Sequence, residues 1–250
     1  MEENMVERSS AALVTGASRG LGKALARALA LRGKRVIMVA RGGSELRGAV
    51  RDVKQAGGDA HGLAFDVGDK SAIHRLTGAA AALSPRIDLV VHAASTLGPL
   101  PMPLLLDTEC EDFARVLEVN LVGPFRLTKV LAAPMMLRGE GTVLFVSSDA
   151  ATNAYERWGA YGVSKAAQDH LARSFAAELD PVRFLAVDPG EMDTKMHADA
   201  MPDADPSTLA KPEDVAARIM TILRRARELP NGARVLAADF PKAEPLRGVS

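Results

Sequence analysis

Three side chains capable of acid/base chemistry follow one another in the second half of the sequence. Ser148 ends an apolar run, Tyr161 comes thirteen residues later, and Lys165 follows four residues after that. Residues four apart lie side by side on a helix, so the Lys165 ammonium is expected to stabilise the Tyr161 phenolate and lower its pKa. Tyr161 is then a candidate general acid/base, with Ser148 bonding a carbonyl or alkoxide oxygen. Alone, the same pattern also fits a surface pair.

A glycine-rich turn near the start of the chain indicates what such a site would use. The segment from Thr15 to Gly22 joins the first predicted strand to an Ala/Leu-rich helix. Glycines there let the backbone approach a pyrophosphate, and the helix N-terminus favours its negative charge. The spacing differs from G-x-G-x-x-G. The turn predicts a dinucleotide site built from Gly16, Ser18, Arg19, Gly20, Leu21 and Gly22.

The end of the second predicted strand indicates which dinucleotide binds. NAD sites usually place a carboxylate there for the ribose 2′-hydroxyl. This strand instead ends in Arg41, and the first acid after it is Glu45. Because a guanidinium bonds a phosphate in bidentate fashion, Arg41 and Arg19 predict NADP(H). The alternative is that both arginines are solvated surface charges.

Small and polar residues also follow the third and fourth predicted strands. Asp66, with Val67, could accept a hydrogen bond from an adenine amino group, although a turn or helix cap is an equally simple role. Ala93 and Ala94 allow the backbone to pass close to a ribose. His92, at the strand end, is interpreted as a structural histidine rather than an acid or base.

The elements that must position these residues alternate regularly along the chain. Short apolar runs separated by amphipathic segments predict a parallel sheet covered on both faces, a doubly wound α/β (Rossmann) fold. The predicted strands are Ala11–Thr15, Arg35–Ala40, Ala60–Phe65, Leu89–His92, Thr142–Ser147, Arg183–Asp188 and Arg234–Ala237. The predicted helices are Leu21–Arg32, Ser44–Ala56, Lys70–Leu83, Asp107–Leu137, Ala160–Leu179 and Pro212–Glu228.

Length and composition restrict the class of protein. The 250 residues carry 31 basic and 31 acidic side chains, so the basic surplus of a nucleic-acid-binding or membrane-binding protein is missing. The single cysteine, Cys110, fits a reducing cytoplasm, and neither it nor the five histidines show metal-ligand spacing. We expect one domain over 1–250 with a flexible segment 1–10 and a substrate loop 191–211, because that long irregular stretch contains two prolines.

In motif order and spacing, the chain resembles the short-chain dehydrogenase/reductase family over nearly its whole length. The resemblance is carried by Thr15-Gly16-x3-Gly20-x-Gly22, Asn120, Ser148 and Tyr161-x3-Lys165. It implies that Ser148, Tyr161 and Lys165 are catalytic and that Asn120 holds a water beside Lys165. It further implies that Lys165 bonds the nicotinamide ribose, that Pro189, Gly190 and Thr194 line the nicotinamide, and that the protein is a homodimer or homotetramer.

The expected activity is NADPH-dependent reduction of a small carbonyl substrate. The segments Arg157–Tyr161 and Val182–Thr194 are similar to sepiapterin reductase and benzil-reductase-like members, and the predicted pocket is apolar, which favours an aromatic ketone or diketone. Departures are His92 to Ser95 in place of Asn-Asn-Ala-Gly, and a different C-terminal tail. Alternatives are alcohol oxidation by the same site and a dinucleotide-sensing regulatory protein. The expected pocket residues are Leu97, Leu100, Met102, Tyr155, Trp158, Met192 and Met196.

Overall fold

The chain forms a seven-stranded, all-parallel sheet, as expected from the sequence. The computed structural model describes residues 10–244. The strands are β1 Ser10–Thr15, β2 Arg35–Ala40, β3 Ala60–Ala64, β4 Arg86–His92, β5 Thr142–Val146, β6 Arg183–Asp188 and β7 Arg234–Leu236. Their order in the sheet is β3-β2-β1-β4-β5-β6-β7. Register pairs His92 with Thr15 on one side and with Phe145 on the other, so the carboxyl ends of the central strands meet at one edge.

Helices cover both faces of the sheet. The helices are α1 Gly20–Ala30, α2 Gly43–Gln55, α3 Ile73–Leu83, α4 Cys110–Leu117, α5 Gly123–Arg138, α6 Gly159–Glu178, α7 Lys195–Ala200 and α8 Pro212–Arg224. Because successive strand residues point to opposite faces, Ala12 and Val14 pack with α1, α2 and α8, whereas Ala11 and Leu13 pack with α3, α5 and α6. The doubly wound α/β fold is therefore confirmed.

The prediction of a single long helix from Asp107 to Leu137 is wrong. A short 3-10 turn ends at Asp107, and a π-helical turn, Glu118–Val122, separates α4 from α5. Pro124 has no N–H to donate to the carbonyl four residues earlier, which belongs to Asn120. That carbonyl instead accepts a hydrogen bond from the Gln168 side chain at 2.8 Å, so the local distortion turns the Asn120 backbone toward α6.

The segment 191–211, expected to be irregular, contains α7 and a 3-10 turn at Pro206–Thr208. The segment expected to be flexible, 1–10, lies outside the described residues except for Ser10, which is buried in β1. Within residues 10–244, no helix is long and apolar enough to cross a membrane.

Candidate active site

The turn from β1 to α1 is shaped for close backbone contact. Gly16 has a φ of +66°, and a Cβ atom there would lie 2.7 Å from the Ala93 carbonyl oxygen and the Ala94 nitrogen. A Cβ at Gly22 would overlap the Gly16 carbonyl oxygen. The Thr15 hydroxyl accepts hydrogen bonds from the backbone N–H groups of Ala93 and Ala94, both at 3.2 Å. The turn and the end of β4 thus form one tight backbone unit with α1 starting above it.

This unit forms the floor of a cleft of about 910 Å³ along the carboxyl edge of the sheet. A cleft of this size beside a helix N-terminus suits a dinucleotide. Of the residues predicted for the site, all but Asn120 line this cleft: Gly16, Ser18, Arg19, Gly20, Leu21, Gly22, Arg41, Asp66, Val67, Ala93, Ala94, Ser148, Tyr161, Lys165, Pro189, Gly190 and Thr194.

Asn120 lies behind the cleft wall and is fully buried. Its side-chain oxygen accepts from the Thr96 N–H at 2.8 Å, and its amide donates to the Thr96 carbonyl at 2.9 Å and to the Ser164 hydroxyl at 2.9 Å. Asn120 therefore joins the loop after β4 to α6.

Ser148 sits where β5 ends, beside the predicted acid/base. Its hydroxyl donates to an Asp149 carboxylate oxygen at 3.0 Å and accepts from the Ala150 N–H at 3.2 Å. The hydroxyl also interacts with the Tyr161 phenol, where hydrogen bonding acts to lower the tyrosine pKa. The strand end thus places a hydroxyl next to the phenol, as the sequence predicted.

The net shift of the Tyr161 pKa is opposite to the lowering expected from Lys165. Burial raises the pKa of Tyr161 to about 12, and the Asp149 and Asp188 charges add to the increase. Both side chains lie on α6 at the predicted spacing, but the Lys165 nitrogen stands 5.6 Å from the centre of the Tyr161 ring and donates to the Val146 carbonyl at 2.7 Å. Desolvation therefore outweighs the cation, and Tyr161 keeps its proton at neutral pH.

Burial affects the pKa of Lys165, and a second polar partner helps to fix its position. Burial lowers its pKa to about 8, and the Asp169 carboxylate opposes that change. The Lys165 nitrogen donates to the Gln168 side-chain oxygen at 3.3 Å, and the Gln168 amide donates to the Asn120 carbonyl at 2.8 Å. A glutamine side chain thus links Lys165 to Asn120, the two residues that the family resemblance joins through a water.

The residues predicted to bind the adenosine part of the cofactor differ in the contacts that they make within the protein. Asp66 accepts from the Gly68 N–H at 2.9 Å and from the Arg115 guanidinium at 2.6 Å, so one oxygen forms a turn and the other an ion pair. Both roles left open for Asp66 are compatible with its place in the cleft. Arg19 and Arg41 are exposed on the cleft and have no ion-pair partner within residues 10–244.

His92 is structural, as expected. The ring is buried, its Nε2 atom lies 2.8 Å from the Thr128 hydroxyl, and it stacks on Phe145 at a centroid distance of 4.9 Å. Burial, with a smaller contribution from the Lys165 charge, lowers the His92 pKa to about 3. A ring held neutral below the cleft is not a proton carrier at neutral pH.

The proposed substrate side of the cleft is apolar, but only four of the seven predicted residues line it. Leu97, Trp158, Met192 and Met196 line it, and the Trp158 ring meets the Tyr161 ring edge-on at 5.6 Å. The other three expected residues lie elsewhere: Met102 is buried against the same cluster without lining the cleft, and Leu100 and Tyr155 are about half exposed outside it.

Several polar residues of the site were missed from the sequence. Gln168 and Asp169 follow Lys165 by three and four positions, so helical spacing placed them on its face and could have identified them. Arg234, in β7, donates to Asp169 and Asp188 and to the Ser148 carbonyl. No local signal marks Arg234, because its neighbours are set by strand order rather than by sequence proximity.

Comparison with known proteins defines the class of the chain. Residues 10–205 match the family model described as short chain dehydrogenase. A relative, short-chain reductase protein NovJ of Streptomyces niveus, is 32% identical over 239 residues, covering 89% of this chain and 90% of NovJ. The chain therefore belongs to the short-chain dehydrogenase/reductase family of oxidoreductases.

Solved structures agree with this assignment over almost the entire chain. A short-chain dehydrogenase of Shigella flexneri 2a, solved with NADP, superposes with a TM-score of 0.84 at 26% identity, covering 93% of this chain and 99% of its own. A variant of actinorhodin polyketide ketoreductase, solved with NADPH, also gives 0.84 at 25% identity, with coverages of 92% and 96%.

Proposed function

We propose that this protein reduces the carbonyl group of a small, apolar or aromatic ketone or diketone with NADPH. The observation that carries the proposal is a buried, protonated Tyr161 beside the Ser148 hydroxyl, in the same cleft as the glycine turn. The cofactor is supported by the Arg19 and Arg41 guanidinium groups exposed on the cleft and by relatives solved with NADP or NADPH. Those charges suit a 2′-phosphate.

The chain's own residues supply the proton and the orientation of the substrate. Ser148 holds the carbonyl oxygen, and Tyr161 donates its proton to that oxygen as negative charge develops. When bound, NADPH supplies the hydride that reduces the carbonyl carbon. Lys165, held by Val146 and Gln168, keeps a positive charge beneath the ring and offsets the phenolate formed after proton transfer. Alcohol oxidation would use the same groups, with Tyr161 accepting the proton instead of donating it.

The cleft wall supports the substrate class. Trp158 offers a flat aromatic face, and Met192 and Met196 are flexible thioethers that adapt to varied apolar shapes. The segment 191–211 that carries the two methionines is proposed to close over the substrate. Its base is fixed where Met192 bridges to Ala210, while much of the intervening chain is exposed.

A panel of carbonyl compounds tests this function directly. NADPH oxidation is followed with aromatic ketones, 1,2-diketones, pterins and simple sugars, and the same panel is repeated with NADH. We expect turnover with an apolar ketone or diketone, preferring NADPH. Absence of turnover with every carbonyl, despite tight NADPH binding, would contradict the proposal and favour a dinucleotide sensor.

We also propose that the protein assembles as a homodimer or homotetramer through α4, α5 and α6. Phe125 and Val163 are 41% and 48% exposed on these helices, and Phe125 stacks on Phe175 at 6.0 Å. Exposed apolar side chains on adjacent helices favour burial against a second copy. Light scattering at micromolar concentration tests this, and a monomer there contradicts it.

A further inference from the structure

The guanidinium group of Arg234 joins three segments of the candidate site. Its Nη2 atom donates to the Ser148 carbonyl at 3.0 Å and to the Asp188 carboxylate at 2.7 Å, and its Nε atom donates to the Asp169 carboxylate at 3.1 Å. Ser148 lies two residues after the end of β5, Asp188 ends β6, and Asp169 lies on α6. One side chain from the edge strand β7 therefore ties together segments that are far apart in sequence.

Each of the three partners leads to a residue with a predicted role. Asp188 also accepts from the Gly190 N–H at 2.9 Å, which shapes the turn that enters the cleft after β6. Asp169 lies one helical turn after Lys165 and raises the pKa of that lysine against the effect of burial. The third partner is the backbone of Ser148 itself. A shift of Arg234 would thus reach the hydroxyl, the ammonium and the Pro189–Gly190 turn together.

Burial and charge make this arrangement difficult to replace. The Asp169 and Asp188 side chains are only 5% and 6% exposed, and Arg234 is 21% exposed. Two buried carboxylates are balanced by the two cations Lys165 and Arg234, and removing one cation leaves an unpaired buried charge. Lysine would retain the charge but lacks the planar fork that reaches separate acceptors.

From this arrangement we infer that Arg234 is a positioning residue for the proposed carbonyl reduction, on which the inference rests. It fixes Ser148 and the Pro189–Gly190 turn relative to α6 without touching the substrate. Because the group acts on geometry, its loss should lower kcat more than it raises the KM of the ketone. It should also loosen the turn in the free protein, where the Gly190 N–H depends on an Asp188 held in place by Arg234.

The test compares Arg234→Met, Arg234→Lys and Arg234→Ala. A matched control is Arg183→Met, since Arg183 also donates from a strand, but to the Ala226 and Leu229 carbonyls at the opposite end of the sheet. Thermal unfolding first checks that each variant is folded. We then expect the kcat of Arg234→Met to fall about 10- to 100-fold, because small displacements of reacting groups carry penalties of that order. Arg234→Lys should recover part of the loss, and millimolar guanidinium should partly restore Arg234→Ala.

Two further measurements do not depend on turnover. Amide exchange at Gly190 should accelerate, and the Kd for NADPH measured by fluorescence should rise about 3- to 10-fold in Arg234→Met, whereas Arg183→Met should match the wild type in both. The inference is overturned if kcat stays within about twofold of wild type, if Arg183→Met loses as much, or if guanidinium restores nothing. If Arg234→Met does not fold, Arg234→Lys takes its place with smaller changes expected in the same directions, and wild-type values of kcat, Gly190 exchange and NADPH affinity in that variant would overturn the inference.

The inference and the proposed function can fail separately. A wild-type protein that reduces no carbonyl contradicts the function alone, and Gly190 exchange and NADPH affinity then decide the role of Arg234. Conversely, a wild-type reductase whose Arg234 variants keep both the exchange rate and kcat retains the function and loses the inference.

Discussion

Replacing His92 with Gln should remove the loss of stability that protonation of this buried histidine causes in mild acid. The histidine is buried beneath the cleft, bonded to Thr128 at 2.8 Å and stacked on Phe145. Burial, together with the Lys165 charge, lowers its pKa from 6.5 to about 3. The glutamine side chain of the His92→Gln variant can still bond the Thr128 hydroxyl but does not titrate.

The sign and size of the effect follow from proton linkage. Between pH 6.5 and about 3 the unfolded chain binds a proton at His92 and the folded protein does not, so stability falls as the pH falls. From about pH 7.5 to about pH 5 this one group lowers the free energy of unfolding by about 2 kcal/mol. The raised pKa of Asp169 acts in the opposite direction at acid pH, but it is common to both proteins and cancels in their difference.

Urea unfolding of the wild type and of His92→Gln at several pH values measures the difference. His74→Gln is the control, because His74 is exposed on α3. We expect the wild type and the control to lose about 2 kcal/mol more than His92→Gln between about pH 7.5 and about pH 5. Equal pH dependence in all three proteins would refute a neutral, buried His92.

Three further predictions concern the cofactor and the loop. Arg41→Ala should lower the preference for NADPH over NADH about 10-fold or more in binding titrations, the size of a charge-assisted bond, and Arg47→Ala should leave it unchanged; equal loss in both variants would oppose a 2′-phosphate role. Gly22→Ala should abolish NADPH binding because its Cβ overlaps the turn, while Gly48→Ala, with open space around it, should stabilise α2 by about 0.5–1 kcal/mol. Amide exchange in 191–211 should slow when NADPH and a ketone bind, and unchanged protection would mean that this segment is no lid.

Sequence periodicity was sufficient to predict the fold because the strands are apolar on both faces and alternate with amphipathic helices. The bounds of β2 and β6 are those predicted, and the other strands differ by one to three residues at an end. The prediction of one continuous helix between β4 and β5 was wrong because hydrophobic periodicity does not reveal the loss of one backbone hydrogen bond at Pro124. The π turn that results determines where Asn120 points.

The candidate site was predicted at the level of residues but not of their electrostatics. Motif spacing brought Ser148, Tyr161 and Lys165 to one cleft, yet the direction of the Tyr161 pKa depends on burial, which spacing does not contain. Arg234 was missed because its partners come from β5, β6 and α6, and only the order of strands in the sheet makes them neighbours.

Turnover of Tyr161→Phe tests the central claim most directly. The variant keeps the ring that packs on Trp158 and removes only the phenolic proton. With a ketone that the wild type reduces, we expect kcat to fall about 100-fold or more, the size of a lost general acid, while the NADPH Kd stays within about twofold. A variant that keeps near wild-type kcat with normal NADPH binding would contradict proton donation by Tyr161.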